Sequence, residues 1–302
     1  MENRIALMIV GAQKAGTTSL NNYLAQHTNI YTHQTLEFGL FRDEVEYKKG
    51  LDFFLQNTIA KSDKYNPEKK FFIAKRVGLM HNEEMLLNLR ALNPDVKIVA
   101  VLRNPIDRAF SAFWYCRKTG MEPYLSFEDA IYKNEKARFK GNKRWERNCD
   151  YLGRSIYLPY IQKMKTIFPP DNLNIFLFEE MVTDLNKALN EIISMIHLSP
   201  FPFNTKEKYN ERTEVKSNLF SKIMRPGQNN VLKSIIPLKY RSHLRRNLKK
   251  INEARPDQKQ PIKMLPETRL YLQEFFKPQI EPLMAITKLP IDKYWSEFFN
   301  EA

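Results

Sequence analysis

Two glycines, Gly11 and Gly16, bracket Ala12-Gln-Lys-Ala15 and are followed at once by Thr17-Thr-Ser19. Glycines at that spacing let a backbone turn tightly and aim several amide N–H groups at one anion, as a phosphate cradle requires. Lys14 puts a cation inside the turn, and the hydroxyls of Thr17, Thr18 and Ser19 add donors where a helix begins. Farther along stand residues suited to proton transfer or to a second anion: His33 and Glu37 in an aromatic stretch, Lys75 behind a short apolar run, and Arg103 with Ser111 eight residues later.

The elements that must position these residues follow from periodicity. Ile5 to Val10 is an unbroken apolar run, suited to a strand buried on both faces. The order then reads helix 18–26, an aromatic-rich loop to about 46, a short helix 47–57, strand 71–74, helix 82–92, strand 96–102 and helix 105–119. Helical patterns over 126–138 and 154–167 precede strand 173–178, and an amphipathic helix over 266–287 closes the sequence. Such alternation predicts an α/β fold, a central parallel sheet flanked by helices. Ligands on such sheets bind beyond the carboxyl ends of the strands, where Gly11, Lys75 and Arg103 all fall.

The phosphate loop of magnesium-dependent NTPases is the nearest general motif, and the match fails at two places. Thr17 stands where that motif wants lysine, and Val96-Lys-Ile-Val-Ala-Val-Leu102 runs into Arg103 instead of an acidic residue. The residues therefore predict an anion site with no obvious metal. A plain turn between strand and helix is the bland reading of the same glycines.

Gly11-Ala-Gln-Lys-Ala-Gly-Thr-Thr-Ser19 resembles the 5′-phosphosulfate loop of sulfotransferases, which use 3′-phosphoadenosine 5′-phosphosulfate (PAPS) as donor. Val101-Leu-Arg-Asn-Pro-Ile-Asp-Arg-Ala-Phe-Ser111 is similar to the family's second signature, with Pro105 suited to a first helical turn. Glu37 before an aromatic segment, then Gly50-Leu51 and the pair Phe53-Phe54, looks like the heparan sulfate branch. The resemblance implies a P-loop-like nucleotide-binding sulfotransferase fold. It implies that Gln13, Lys14, Ala15, Gly16, Thr17, Thr18 and Ser19 hold the 5′-phosphosulfate, and that Arg103 and Ser111 bind the 3′-phosphate. Glu37 is then the catalytic base, with His33 its rival because other branches use histidine, and Lys14 sits beside the bridging oxygen that leaves. Lys75 corresponds to a lysine that approaches the reaction centre, although Lys75-Arg-Val replaces the more usual Lys-Thr-Pro. Tyr157 belongs to a segment, Tyr151 to Tyr157, similar to one that opens a helix near the donor.

The implied activity is sulfuryl transfer from PAPS to a hydroxyl on a bacterial glycan or glycolipid, releasing the bisphosphate PAP, with no metal. Alternatives are a small secondary metabolite or carrier-tethered polyketide hydroxyl, a sulfamate on an amine, and, more remotely, a small-molecule kinase or a non-catalytic nucleotide-binding protein. Bland readings stand beside the sharp ones. The bland alternative for Glu37 is a structural carboxylate held by a lysine, His27 is structural, and Phe110, Phe113 and Trp114 have the spacing of a helix core face.

At 302 residues, 43% of them hydrophobic, the chain can bury one large core, and no linker divides it, so residues 1–302 read as one sulfotransferase domain. A net charge of +14 favours an anionic partner, but no nucleic-acid module is visible. Residues 201–230 read as a long active-site lid, and the basic cluster 239–250 as a solvated helix face or a binding patch. No apolar run approaches the roughly 18 residues of a membrane span, and Cys116 and Cys149 follow no metal spacing, which predicts a reducing, cytoplasmic setting.

Overall fold

The apolar run before Gly11 forms the central strand of a parallel sheet. In this computed structural model the described residues are 5–33, 36–58, 71–133, 135–206, 214–215, 253–254 and 263–300. β1 (Ile5–Gly11) leads into α1 (Thr17–Leu24), and β2 (Ile30–Thr32) follows at the sheet edge. α2 (Glu44–Tyr47) and α3 (Gly50–Thr58) precede β3 (Phe71–Lys75), α4 (Glu83–Leu92), β4 (Lys97–Leu102) and α5 (Pro105–Lys118). The strand order is β2-β3-β1-β4, closed by β5 (Leu173–Leu177) beyond β4, and each neighbouring pair is parallel. β1 therefore lies where the order reverses, and such a switch point opens a crevice at the strands' carboxyl ends.

The described residues fall into two units. The first holds the whole sheet, residues 1–108, 154–210 and 273–302. Its core is the strand run Leu7 to Val10, Ile73 and Ala74, and Ile98 to Leu102, all of it shut off from water. α8 (Leu158–Ile167) packs on α4, and α10 (Leu185–Ser194), which follows α9 (Phe178–Thr183), packs on α1. α10 went unpredicted although its signal is present: Asp184 accepts the Lys187 N–H as an N-cap, and Ala188, Leu189, Ile192 and Ile193 form the buried stripe. β2 is only three residues long, too short for alternation to show.

The second unit, residues 109–153 and 211–272, contains most of α5, α6 (Phe127–Tyr132), α7 (Lys143–Asn148) and a two-stranded ladder of β6 (Glu214–Val215) and β7 (Glu253–Ala254). Phe110 and Phe113 pack edge-on against Phe127 at 5.2 and 5.6 Å, confirming their core spacing. Cys116 and Cys149 are both buried and free. Burial pushes the Cys116 thiol and the Tyr151 phenol far up, so both stay protonated, and Tyr151 donates to Glu122 Oε2 at 2.8 Å.

α11 (Pro266–Thr287) matches the predicted closing helix, and α12 (Ile291–Tyr294) follows it. Among the described residues no helix is long and apolar enough to cross a membrane. The first part of the predicted lid, 201–206, is an ordered segment tied to the end of α1 away from the glycine loop. There Asn204 N donates to Gln26 Oε1 at 2.8 Å, and Phe201 packs on His27 at 4.7 Å, giving His27 its structural role. The rest of that segment, apart from 214–215, and the cluster 239–250 lie outside the described residues.

His81 ends a short turn, Leu79–His81, with its ring edge-on to Tyr160 at 4.5 Å. Both ring nitrogens are sealed from water without a well-formed hydrogen bond among the described residues. Desolvation, then Arg154 and Arg108, holds its protonation well below the usual histidine range. The unfolded chain therefore binds more protons, so this contribution is complete above about pH 6.5 and is lost as pH falls, at up to about 1.4 kcal/mol per pH unit. Urea unfolding at a series of pH values should show a shallower acid loss in His81→Phe than in the parent; equal slopes would remove His81 from the account.

Candidate active site

Past Gly11 the backbone stays fastened to the sheet while it turns: Ala12 N donates to Val101 O at 2.7 Å, and Ala15 N to Ala12 O at 3.2 Å. Lys14 and Gly16 both adopt φ of 73°, in the left-handed region. At Gly16 the demand is double, because a Cβ there would lie 2.8 Å from the Phe178 ring. Turns of this kind point successive N–H groups at one spot. Gly16 is also the N-cap of α1 and brings no side-chain acceptor, so the positive end of that helix faces the same spot uncapped. Ala15 and Thr17 are buried, while Gln13, Lys14, Thr18 and Ser19 are half-buried around the loop. Gln13 Oε1 is buried with no hydrogen-bond partner among the described residues, an orphan that a ligand's donor would satisfy. The cradle and the helix end together suit a phosphate-like anion.

Lys75 closes β3 one strand away, opposite Ile9 of β1, and is 2% exposed. A buried ammonium needs a counter-charge, and Glu37 provides it: Lys75 Nζ donates to Glu37 Oε1 at 2.6 Å. Glu37 Oε2 accepts the Val77 N–H at 2.8 Å. The Glu37 side chain is 28% exposed, against 2% for that of Lys75. The loop is held by main-chain bonds as well, with Phe38 N donating to Lys75 O at 2.8 Å. Arg76 accounts for the departure from Lys-Thr-Pro, since its guanidinium donates to Phe41 O at 3.0 Å and Phe38 O at 3.2 Å and braces the Glu37 loop. His33 is buried in the same cluster, where its Nε2 accepts the Lys75 N–H at 3.0 Å. The lone pair a base would use is thereby engaged.

Arg103 follows β4. Its Nη1 donates to Lys14 O at 3.0 Å, and the guanidinium lies over the Phe178 ring with 5.0 Å to the centroid. Tyr157 is completely buried; its hydroxyl donates to Arg103 O at 2.8 Å, and its N–H to Gln279 Oε1 at 2.7 Å. Burial pushes the phenol up, keeping it a donor. Tyr157 thus supports Arg103 from the core side. Next to it, Glu179 takes the Asn104 N–H at 2.9 Å on one oxygen and Trp295 Nε1–H at 3.0 Å on the other, while Asn104 Nδ2 donates to Glu297 at 2.7 Å.

The structure therefore brings Gln13 to Ser19, Lys75, Glu37, His33 and Arg103 to the carboxyl edge of one sheet. Ser111 lies on α5 in the second unit, half-buried. Phe178, Glu179 and Trp295 were not foreseen. The first two sit where β5 ends, the edge at which ligands of parallel sheets bind, so position was a usable signal for them. Trp295 carries no local signal at all.

With this geometry in hand, comparison with known proteins is specific. The profile of the sulfotransferase domain matches residues 4–235. The human bifunctional heparan sulfate N-deacetylase/N-sulfotransferase 3 is 26% identical over 200 residues, 64% of this chain and 22% of that protein. Over 113 residues, 36% of this chain and 12% of the relative, identity to bifunctional heparan sulfate N-deacetylase/N-sulfotransferase 1 of Xenopus tropicalis reaches 34%. The matched part of the chain thus spans less than a quarter of the length of these curated relatives. A sulfotransferase from Alicyclobacillus acidocaldarius shares the fold, with a TM-score of 0.67 at 21% identity over 97% of this chain and 99% of that one. On the profile match across most of its length, the chain belongs to the sulfotransferase-domain family.

Proposed function

We propose that the protein transfers the sulfuryl group of PAPS to an acceptor hydroxyl carried by a glycan or glycolipid. The observation that carries this reading is the pairing of an anion cradle at the end of β1 with the Glu37–Lys75 pair at the end of the adjoining β3. A cradle alone binds; a partly exposed carboxylate on the adjoining strand end can also accept a proton. The heparan sulfate relatives, at 26% identity, support a sugar-borne acceptor.

PAPS supplies the sulfuryl group, and the chain's own residues do the rest. The loop Gln13 to Ser19 and the end of α1 hold the 5′-phosphosulfate, and Arg103, fastened to Lys14 O, holds the far phosphate. Glu37 takes the proton of the acceptor hydroxyl as its oxygen bonds to sulfur and the bond from sulfur to the 5′-phosphate oxygen breaks. Lys14 neutralises the charge that gathers on that leaving oxygen. His33 and Tyr157 act as positioning residues, the first on the Lys75 main chain and the second on the Arg103 main chain.

Three outcomes test this reading. Calorimetry should show adenosine 3′,5′-bisphosphate binding at least about tenfold tighter than ATP, without magnesium; a preference for ATP would overturn the donor. With labelled PAPS and a glycan extract, Glu37→Gln should lower turnover by about 10² to 10⁴ while bisphosphate binding changes little, and full activity in that variant would move the base elsewhere. Because Glu37 also answers a buried ammonium, Glu37→Gln should cost about 3–5 kcal/mol of stability, and the double variant Glu37→Gln/Lys75→Met should recover part of that loss in urea unfolding.

A further inference from the structure

β4 ends at Leu102, and the peptide group that joins Arg103 to Asn104 lies just beyond the sheet. Backbone N–H and C=O groups that leave a ladder need other partners. Here two side chains supply them, one at each end of the same peptide. The Tyr157 hydroxyl donates to its oxygen at 2.8 Å, and Glu179 Oε1 accepts its N–H at 2.9 Å. A peptide held at both ends keeps one orientation about the Arg103 Cα, and the direction in which the Arg103 side chain leaves the backbone is set with it.

Both holds converge on Trp295, which directly follows α12, is 1% exposed, and donates its main-chain N–H to Ile291 O at 2.7 Å. Its indole Nε1–H donates to Glu179 Oε2 at 3.0 Å, and its ring lies 6.4 Å from the Tyr157 ring. Glu179 is thereby stretched between the indole and the peptide, one oxygen to each. Two residues later the same stretch of chain reaches Asn104 again, where Glu297 Oε1 accepts from Asn104 Nδ2 at 2.7 Å. Asn104 Oδ1 in turn accepts the Ile106 and Asp107 N–H groups at 3.0 and 3.3 Å, capping α5 where Pro105 has no N–H to offer. Arg103, Asn104, Tyr157, Glu179, Trp295 and Glu297 all belong to the unit that holds the sheet.

We propose that Trp295, acting through Glu179, is a positioning residue for recognition of the donor's 3′-phosphate: it sets the Arg103–Asn104 peptide, and with it the guanidinium that meets that phosphate. This rests on Arg103 holding the far phosphate, as in the reaction proposed above. Lys14 O at 3.0 Å and the face of the Phe178 ring fix where the guanidinium ends, and the clamped peptide fixes where the side chain starts. A nucleotide that lacks the 3′-phosphate draws nothing from this arrangement. Trp295 therefore governs the preference for PAP over adenosine 5′-monophosphate, and not the grip on the 5′-phosphate.

Calorimetry of the full chain with PAP and with adenosine 5′-monophosphate reads the two effects apart. Trp295→Phe keeps an aromatic ring and removes the N–H, whereas Glu179→Gln keeps the size and sets an amide N–H₂ against one of the two N–H groups. Each should weaken PAP about five- to twentyfold and the monophosphate no more than about twofold. In the double variant the amide oxygen takes the Asn104 N–H while its N–H₂ faces a ring with no donor. PAP should then bind within about threefold of the tighter single variant, instead of showing the product of the two losses. Equal losses for both nucleotides, loss of all binding included, single losses that multiply in the double variant, or unchanged PAP binding in both single variants would overturn the inference. A parent with no preference for PAP, or an Arg103→Ala variant that keeps the preference, would instead overturn the reading of Arg103 beneath it.

Discussion

The ammonium of Lys75 is the constraint around which the site is organised. β3 delivers it to the sheet's carboxyl edge with 2% exposure, and an unpaired charge there would cost several kcal/mol. The chain answers by bringing Glu37 back over the strand end, 2.6 Å away, and then fixes that arrangement with main-chain bonds from both sides of the pair. Phe38, His33 and Val77 all bond within the same few residues, and Arg76 braces the loop from the next position. The reading of Glu37 as a carboxylate held by a lysine thus has a definite partner, Lys75, at the carboxyl edge of the sheet.

A parallel sheet explains why residues so far apart in sequence meet. Strands β1, β3 and β4 all point their carboxyl ends one way, so whatever follows each strand arrives at one rim. Arg103 bonding to Lys14 O is the clearest consequence, since it joins the turn after β1 to the turn after β4. That tie holds a basic side chain against the cradle before any ligand arrives, and preorganisation of this kind removes ordering cost from binding.

Strands, long helices and the glycine loop were legible because each rests on local chemistry: apolar runs, 3.6-residue periodicity and the conformational freedom of Gly16. Lys14, Glu37, Lys75 and Arg103 were legible as residue types at strand ends. Their pairings were not, because neither sequence spacing nor periodicity says that a carboxylate 38 residues upstream will close on Lys75. The same holds for the carbonyl of Arg103, supported by Tyr157 from 54 residues away, and for Glu179 and Trp295, joined across 116. Arg76 is the instructive case. As a departure from a motif it weakened the reading of Lys75, whereas in three dimensions it holds the Glu37 loop. Division into two units was likewise hidden, because α5 passes from one to the other without a break in its helical pattern.

A lysine buried against a carboxylate ties the charge of each group to that of the other. In the proposed reaction this becomes an advantage. When Glu37 takes the acceptor's proton it turns neutral, and the buried Lys75 ammonium loses the charge that balanced it. Negative charge is building at that moment on the leaving phosphate oxygen, which keeps the electron pair of the breaking bond to sulfur. A low-dielectric site makes an uncompensated cation seek that charge strongly, so the field of Lys75 passes from Glu37 to the transition state as the proton moves. The lysine then favours the transition state over the ground state, which is the condition for accelerating the chemical step. In the proposed reaction, burial of Lys75 and proton transfer to Glu37 are parts of one device, and the cost of burying the charge is what makes its release useful.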